Sequence, residues 1–243
     1  VSQASHDSLM PFLTANIPII HNPFDVQRLT NNSEQHAAAR SCLLNKYSLP
    51  EDSSICLTVG RISEAKGIDL LLPIARKIVM ELPHAIFFVV GYWKDSQVDV
   101  LSQRKLLGLE QNIIFPGFQD DILPFLRGAD ILLHPSKFES FGRVIAESLA
   151  CNVPAVAFNL GGIAEVLEDG KSGFLIPPFD VDLFSHKAKV LLCHENLRAT
   201  MGNAGRTRVQ EQFSIPKSVQ SLENVITNVY LSRCNARCQA ARQ

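Results

Sequence analysis

Two carboxylates eight positions apart, Glu139 and Glu147, are the side chains in this sequence with the spacing best suited to chemistry. Gly142 follows the first of them and is expected to open a helix, because the residues after it have helical apolar spacing. The first turn of such a helix offers free N–H groups and a positive dipole end, which favour a phosphate. At 1.5 Å per residue, eight residues span roughly 12 Å. One carboxylate could therefore contact a sugar and the other a ribose of the same extended ligand.

Two cations five positions apart, Arg61 and Lys66, form a second candidate group, with Gly60 and Gly67 on either side. The planar fork of an arginine and the point charge of a lysine can clasp a diphosphate and stabilise negative charge on a leaving group. The segment matches neither G-x-x-x-x-G-K-[ST] nor G-x-G-x-x-G, so the fingerprints of P-loop NTPases and dinucleotide-binding proteins are lacking. A solvated loop without a ligand is the alternative interpretation.

Three further positions each leave two interpretations open. Glu165, just after Gly161 and Gly162, could accept a hydrogen bond from a ligand hydroxyl or could serve the dipole of its own helix. His134 ends an apolar run and is either a ligand contact or a satisfied structural histidine. The Tyr92-Trp93 pair could stack on a base or pack into the fold.

Neither pair of potential metal ligands predicts a metal centre. Asp180 and Asp182 resemble the metal-binding D-x-D motif known from some sugar transferases, but they follow two prolines and open a helical pattern, where an N-cap and a first-turn acid are expected. Cys234 and Cys238 lack the nearby histidine or second cluster that completes a zinc site. No metal or cofactor is therefore expected.

The elements that must position these residues alternate between β-type runs and helical patterns from residue 53 onward. Such alternation, with continuous apolar strands, predicts an α/β fold in which helices cover both faces of a parallel sheet, followed by C-terminal helices. Ligands bind at the carboxyl ends of the strands in these sheets, where the candidate loops fall. The predicted strands span 55–59, 85–90, 112–115, 131–134 and 155–158, and the helices between them span 67–82, 98–107, 122–127, 142–150 and 163–167.

The composition of the 243-residue chain limits its function class. With 23 basic and 24 acidic residues the net charge is -1, so bulk charge gives no argument for nucleic acid or an anionic membrane. No apolar run approaches the roughly 20 residues that cross a bilayer. Six scattered cysteines in mostly apolar surroundings favour a reduced, cytoplasmic setting. The chain begins at Val1 with neither methionine nor signal peptide, so we expect a fragment or a processed product.

Seven motifs occur in order along the chain, and together they resemble the retaining glycosyltransferases of family 4, also called group 1. The resemblance covers residues 20–231 and implies the C-terminal, donor-binding Rossmann-like half of a GT-B fold. The motifs are Gly60-Arg61 to Lys66-Gly67, Phe115 to Phe118, Ala129 to Ser136, Glu139 to Glu147, Leu149 to Pro154, Gly161-Gly162 and Asp169 to Phe174.

The resemblance also implies a division of the chain. Residues 1–20 would be the remnant of an N-terminal acceptor domain, with residues 1–5 as its last strand. Residues 21–213 would form the donor domain, and 214–231 a helix that crosses back towards the missing half. Residues 232–243 have low apolarity and are expected to be a disordered tail.

Roles for the candidate residues follow from the same resemblance. Arg61 and Lys66 would bind the donor diphosphate and stabilise the leaving nucleotide, while Glu139 would hold the sugar hydroxyls and Glu147 the ribose. Such enzymes usually need no metal, and they transfer a glycosyl group with retained anomeric configuration. The remaining donor contacts would come from backbone near the sugar, phosphate and base, at Gly60, Gly117, Phe118, Ser140, Phe141, Gly142, Gly161 and Gly162.

The expected partners are a nucleoside diphosphate sugar and a saccharide, lipid-linked or small-molecule acceptor, with no nucleic acid. The absent half would bind the acceptor and would also make any peripheral contact with a membrane. The alternative is a non-catalytic module that binds nucleotide sugars, or a half-enzyme that needs a separate acceptor-binding partner.

Overall fold

The computed structural model describes residues 2–9, 18–93 and 97–240. In this part of the chain six strands form one parallel sheet in the order β3-β2-β1-β4-β5-β6, which confirms the predicted Rossmann-like sheet. All five predicted strands are present, and β6 is an additional short strand at the edge. The strands are β1 Ser54–Val59, β2 Ala85–Val90, β3 Ile113–Gly117, β4 Ile131–His134, β5 Ala155–Phe158 and β6 Gly173–Ile176.

Strands β2, β4 and β5 are buried on both faces, and the apolar side chains of the sheet alternate between two cores. In β2, Ile86 and Phe88 face one core, whereas Phe87 and Val89 face the other. Helices α2, α5, α6, α7 and α9 cover the first core, and α3 and α8 cover the second. Their bounds are α2 Ser33–Lys46, α3 Ile68–Val79, α4 Gln97–Leu106, α5 Leu123–Gly128, α6 Arg143–Ala150, α7 Ile163–Val166, α8 Val181–Cys193 and α9 Glu195–Phe213.

Both ends of the chain differ from the expectation. Instead of a strand over residues 1–5, helix α1 spans Gln3–Leu9, since Ser2 acts as its N-cap by accepting from the Ser5 N–H group. At the other end, α10 runs over Ile215–Ala240, so residues 232–240 continue a helix where a disordered tail was expected. These residues contain no proline or glycine to stop a helix. Residues 241–243 and Val1 lie outside the described part.

The motif Ala129 to Ser136 begins with a structural residue. Asp130 precedes β4 at its amino end, away from the candidate loops, and accepts from the Ile55 N–H group at 2.7 Å. Its carboxylate also contacts Arg40 at 2.9 Å and Arg198 at 3.5 Å. Asp130 therefore ties α2 and α9 to the sheet and has no part in the site.

Candidate functional site

Three side chains from three elements meet at the carboxyl edge of the sheet. The Lys66 Nζ atom, in a short 3-10 turn after β1, lies 2.7 Å from Glu139 Oε2. The Nε2 atom of His134, at the end of β4, lies 3.2 Å from the same oxygen. A carboxylate only accepts, so both nitrogens donate to it. His134 is 4% exposed, which places it inside the cluster as the structural support of Glu139 rather than on the surface.

The loop that carries Glu139 is tied directly to the turn that carries Lys66. The Lys137 N–H group donates to the Ala65 carbonyl at 3.1 Å, and the Lys137 ammonium donates to Asp69 at 2.7 Å. Gly67 makes this approach sterically feasible, because a Cβ atom there would lie 1.9 Å from the Pro135 carbonyl oxygen. No local pattern in the sequence indicates the Lys137–Asp69 pair, which joins residues 68 positions apart.

Glu139 is an ionised carboxylate at every pH at which the protein is expected to work. Burial alone would raise its pKa, but the hydrogen bonds from His134 and Lys66 and their electrostatic attraction lower the pKa from 4.5 to about 2. Its side chain is only 14% exposed, so solvent screens these contacts weakly. Glu139 is therefore suited to accept hydrogen bonds and unsuited to act as a general acid.

The depressed pKa of Glu139 predicts a pH-dependent stability. A carboxylate whose pKa is lower in the folded state stabilises the fold above its unfolded pKa and loses that effect as the pH falls. Between pH 5 and pH 2, the free energy of unfolding of the wild-type chain should fall by roughly 2–4 kcal/mol more than that of Glu139→Gln. Urea unfolding of both proteins across this range measures the difference. Parallel pH profiles would show that Glu139 is not held by these contacts.

Helix α6 begins directly after the Glu139 loop and presents unpaired backbone donors. Among the described residues, the N–H groups of Phe141, Gly142 and Arg143 have no hydrogen-bond acceptor, and no side chain caps the helix. Phe141 is 3% exposed, and its ring packs on Phe213 with ring centroids 5.4 Å apart. Its ring thus anchors the loop in the core.

Glu147 lies one turn further along α6 and opens into a cavity of about 270 Å³. Burial raises the pKa of Glu147, and Arg143, 3.7 Å away at i,i+4 spacing, only partly offsets that effect. The spacing of this pair is visible in the sequence, although the sequence prediction did not use it. The cavity is lined by Pro23, Phe24, Asp25, Arg28, Leu29, Asp120, Asp121, Ile122, Leu123, Leu126, Arg143 and Glu147.

Arg61 remains exposed at the end of β1, next to the Lys66 cluster. Arg61, Lys66, His134 and Gly60 line one small cavity there. The Arg61 side chain has no partner among the described residues, in contrast to Lys66, which is paired with Glu139. The structure therefore brings Arg61, Lys66 and Glu139 to one edge and leaves one cation unengaged.

Gly161 and Gly162 lie beside the Glu139 loop and contribute to its packing. A Cβ atom at Gly161 would lie 1.8 Å from the Glu139 carbonyl oxygen, and one at Gly162 would lie 2.3 Å from that of Ser140. Both glycines are thus explained by contact with the loop itself. Glu165 is also occupied, because it accepts from the backbone of α1 rather than facing a ligand.

The aromatic candidates separate into one packed ring and two exposed rings. Trp93 packs on Phe115 with ring centroids 4.9 Å apart, so packing is its role. Tyr92 is 50% exposed and Phe118, in the loop after Gly117, is 64% exposed. Both lie beyond the carboxyl ends of β2 and β3, where a base would lie if the diphosphate were bound at α6.

No metal-binding group is found in the described residues. Within them, no three His, Cys, Asp or Glu side chains are placed to hold an ion. Asp180 accepts from the Leu183 N–H group at 2.9 Å, which confirms it as the N-cap of α8, and Asp182 pairs with Lys77 at 2.7 Å. The side chains of Cys234 and Cys238 lie outside the described residues.

A six-stranded parallel sheet with helices on both faces, and with the candidate ligand groups at its carboxyl edge, defines the Rossmann-like α/β class. The sequence profile of the glycosyl transferases group 1 family matches residues 42–208, more than half of the chain. The chain therefore belongs to the group 1 glycosyl transferases.

Relatives of known activity agree with this membership. The chain is 32% identical over 187 residues to N-acetyl-alpha-D-glucosaminyl L-malate synthase of Bacillus anthracis, a match that covers 77% of this chain and 49% of the relative. It is 27% identical over 191 residues to the capsular polysaccharide biosynthesis glycosyltransferase CapM of Staphylococcus aureus, covering 79% and 50%. The chain thus spans about half the length of these relatives.

A solved structure supports the fold in the same way. Alr3699/HepE of Anabaena in complex with UDP superposes with a TM-score of 0.84 at 24% identity, and the match covers 93% of this chain and 62% of that one. At this identity the likeness establishes the fold alone.

Within the described residues, no helix has the length and apolarity needed to cross a membrane.

Proposed function

We propose that this chain is the donor-binding half of a retaining glycosyltransferase of family 4. It would bind a nucleoside diphosphate sugar and supply the groups that stabilise the departing nucleotide, while the sugar passes to an acceptor with retained configuration. The observation that carries the proposal is the Lys66–Glu139–His134 cluster beside the unpaired N–H groups of Phe141 and Gly142.

The diphosphate would lie between the two cations and the start of α6. Lys66 and the unpaired Arg61 provide positive charge, and the N–H groups at 141–143 point from the positive end of a helix dipole. As the bond to the sugar breaks, negative charge grows on the departing diphosphate, and fixed donors stabilise it most at that stage. We propose no metal, because these groups can supply the charge neutralisation.

Glu139 would hold the donor sugar. Its Oε2 atom is engaged by Lys66 and His134, whereas Oε1 has no partner among the described residues and can accept from a sugar hydroxyl. Since Lys66 contacts the same carboxylate, sugar and diphosphate would be held by adjoining groups. This arrangement fixes the reacting bond relative to its leaving group.

Glu147 would accept from the ribose hydroxyls inside the 270 Å³ cavity. Burial disfavours the ionised form of Glu147, and hydrogen bonds donated by the ribose hydroxyls would offset that cost. The loop with Gly117 and Phe118 would lie near the base, and Gly60, Ser140, Gly161 and Gly162 would complete the donor surroundings.

The domain assignment is part of the proposal. Residues 21–213 would form the donor domain, 1–20 would belong to an acceptor half, and 214–231 would cross towards it. Because the chain spans about half the length of its relatives, a nucleotide-sugar-binding module that works with a separate acceptor-binding partner is the second candidate. We propose a saccharide, lipid-linked or small-molecule acceptor and a cytoplasmic location.

Calorimetry with UDP, GDP and ADP tests the donor site. At least one nucleotide should bind the chain, and Glu147→Gln should weaken it by about 10–100-fold, the value of a hydrogen bond to a charged group. The matching 2′-deoxynucleotide should lose affinity for the wild type but little more for Glu147→Gln, since both changes remove the same contact.

Glu211→Gln is the matched control, because Glu211 is an exposed carboxylate on α9. It should bind nucleotide as the wild type does. If none of the three nucleotides binds, the proposed function loses its support. If Glu147→Gln binds normally, only the ribose assignment is wrong.

A further inference from the structure

Glu165 is the meeting point of two parts of the chain that are distant in sequence. Its Oε2 atom accepts from the Gln3 N–H group at 2.8 Å and from His21 Nε2 at 3.0 Å, and its Oε1 atom accepts from the Ala4 N–H group at 3.2 Å. One carboxylate on α7 therefore holds both the start of α1 and His21, the first residue of the proposed donor domain.

The start of α1 depends on these contacts. Glu165 satisfies the N–H groups of Gln3 and Ala4, and the Ser2 hydroxyl satisfies that of Ser5 at 3.0 Å. Seven residues are too few for a stable helix in isolation, so α1 is ordered mainly by what it contacts. Releasing Glu165 should therefore release the α1 segment, defined as residues 2–9.

The same segment contacts the backbone that carries the donor groups. Ser2 is fully buried, and its Cβ atom would be only 2.8 Å from a Cβ atom placed on Gly162. The Gly162 N–H group in turn donates to the Glu139 carbonyl at 3.3 Å. On the other side, the His21 ring packs on Phe141 with centroids 5.7 Å apart. Both contacts end in the loop 139–142.

The backbone at Glu165 is held in place by contacts that do not involve α1. Arg208 of α9 donates to the carbonyls of Glu165 at 2.7 Å and of Val166 at 2.9 Å. The backbone of α7 is thereby held to the domain, so the part that can move when the Glu165 contacts break is the α1 segment together with the His21 side chain. The His21 carbonyl stays bonded to the Ser218 hydroxyl at 3.2 Å.

We propose that Glu165 is a positioning residue, a carboxylate latch that couples the α1 segment and His21 to the donor loop 139–142. With the latch closed, Ser2 supports the loop through Gly162, and the His21 ring packs on Phe141 within the loop. With it open, the loop loses both supports and the donors at 141–142 are less well placed. The chain ahead of the donor domain thereby controls the order of the donor site. The part of this inference that concerns nucleotide affinity rests on the proposed function.

Two substitutions open the latch from opposite sides. Glu165→Gln removes the charge and keeps the shape, whereas Gln3→Pro removes one donated N–H group at a helix position that proline tolerates. Gln3→Ala loses the same side chain but keeps the N–H group, so it is the matched control, with Glu211→Gln as the control for charge.

Backbone NMR of the unliganded chain is the decisive measurement. Glu165→Gln and Gln3→Pro should shift the amide resonances of 139–142 along a common line, as expected for one open–closed equilibrium, and neither control should do so. The affinity for the nucleotide that binds the wild type should fall by about 3–10-fold in both variants, because only the closed fraction binds fully. The double variant should lose less than the product of the two single losses.

Shifts confined to α1 and α7, or full nucleotide affinity in both variants, would overturn the latch. If Glu165→Gln does not fold, Gln3→Pro measured against Gln3→Ala decides alone. Collinear shifts at 139–142 in a chain that binds no nucleotide would support the coupling and reject the proposed function, so the two failures are distinguishable.

Discussion

Replacing Lys66 with methionine should lower kcat/KM for turnover of a nucleoside diphosphate sugar by about 10²–10³-fold, or about 3–4 kcal/mol of transition-state stabilisation. The Lys66 ammonium is held 2.7 Å from Glu139 by a turn that is itself bonded to the Glu139 loop. A preorganised cation stabilises charge that grows on a leaving diphosphate without reorganisation during the reaction. Methionine keeps the apolar length of the side chain, so the loss reports the charge.

The same substitution should change how activity depends on pH. Without Lys66, burial opposes the ionised form of Glu139 with only His134 to offset it, so the pKa of Glu139 should rise from about 2. The acid limb of the kcat/KM profile should move to higher pH in the same way. Donor hydrolysis followed across pH 4–8 can measure this where the acceptor is unknown.

Lys171→Met is the control, because Lys171 is an exposed lysine that pairs with Glu168 away from the site. Its kcat/KM should equal that of the wild type. Unchanged kcat/KM in Lys66→Met would remove Lys66 from the leaving-group chemistry and would leave that role to Arg61. A loss confined to KM would indicate binding of the ground state alone.

Five of the six strands could be predicted from the sequence because each of the five carries its own apolar signal. Apolar runs such as Ala85–Val90 are buried on both faces of the sheet. The alternation of strands and helices along the chain specifies a parallel sheet. β6 escaped prediction because Gly173–Ile176 begins with a glycine after a turn and is followed directly by two prolines, which leaves an apolar run of only three residues. α2 escaped because Ser33–Lys46 is rich in alanine and polar residues and lacks a strong apolar stripe.

The site could be predicted only in part, because its residue types are local and their contacts are not. Glu139 and Glu147 lie within one short segment and Lys66 within another, so the sequence indicated which segments carry the candidate site residues. The partner of Glu165 is a helix terminus 162 positions away, which no local pattern specifies. The sequence therefore predicts which residues lie at the carboxyl edge of the sheet. Tertiary contacts determine which of these residues have atoms free to bind a ligand.

Substituting Gly161 with alanine should be among the most damaging single changes in the donor site. A Cβ atom there would lie 1.8 Å from the Glu139 carbonyl oxygen, and the residue has a φ of 58°, which L-residues adopt at a cost. The left-handed backbone and the forced displacement together should cost roughly 2–5 kcal/mol of unfolding free energy. Because the clash pushes on the backbone of Glu139, turnover of the donor should also fall by about 10²-fold.

Gly170→Ala separates the two contributions, since Gly170 has a φ of 71° but no atom within 4 Å of the position that a Cβ atom would take. It should cost only about 1–2 kcal/mol, the value of the backbone conformation alone, and should leave turnover unchanged. Urea unfolding and donor turnover of both variants give the comparison. Equal losses in the two alanine variants would mean that only the left-handed backbone conformation requires a glycine at this position, and not the approach of the Glu139 carbonyl. A larger loss at Gly161 in both measurements would place the support of Glu139 in the packing between the loops after β4 and β5.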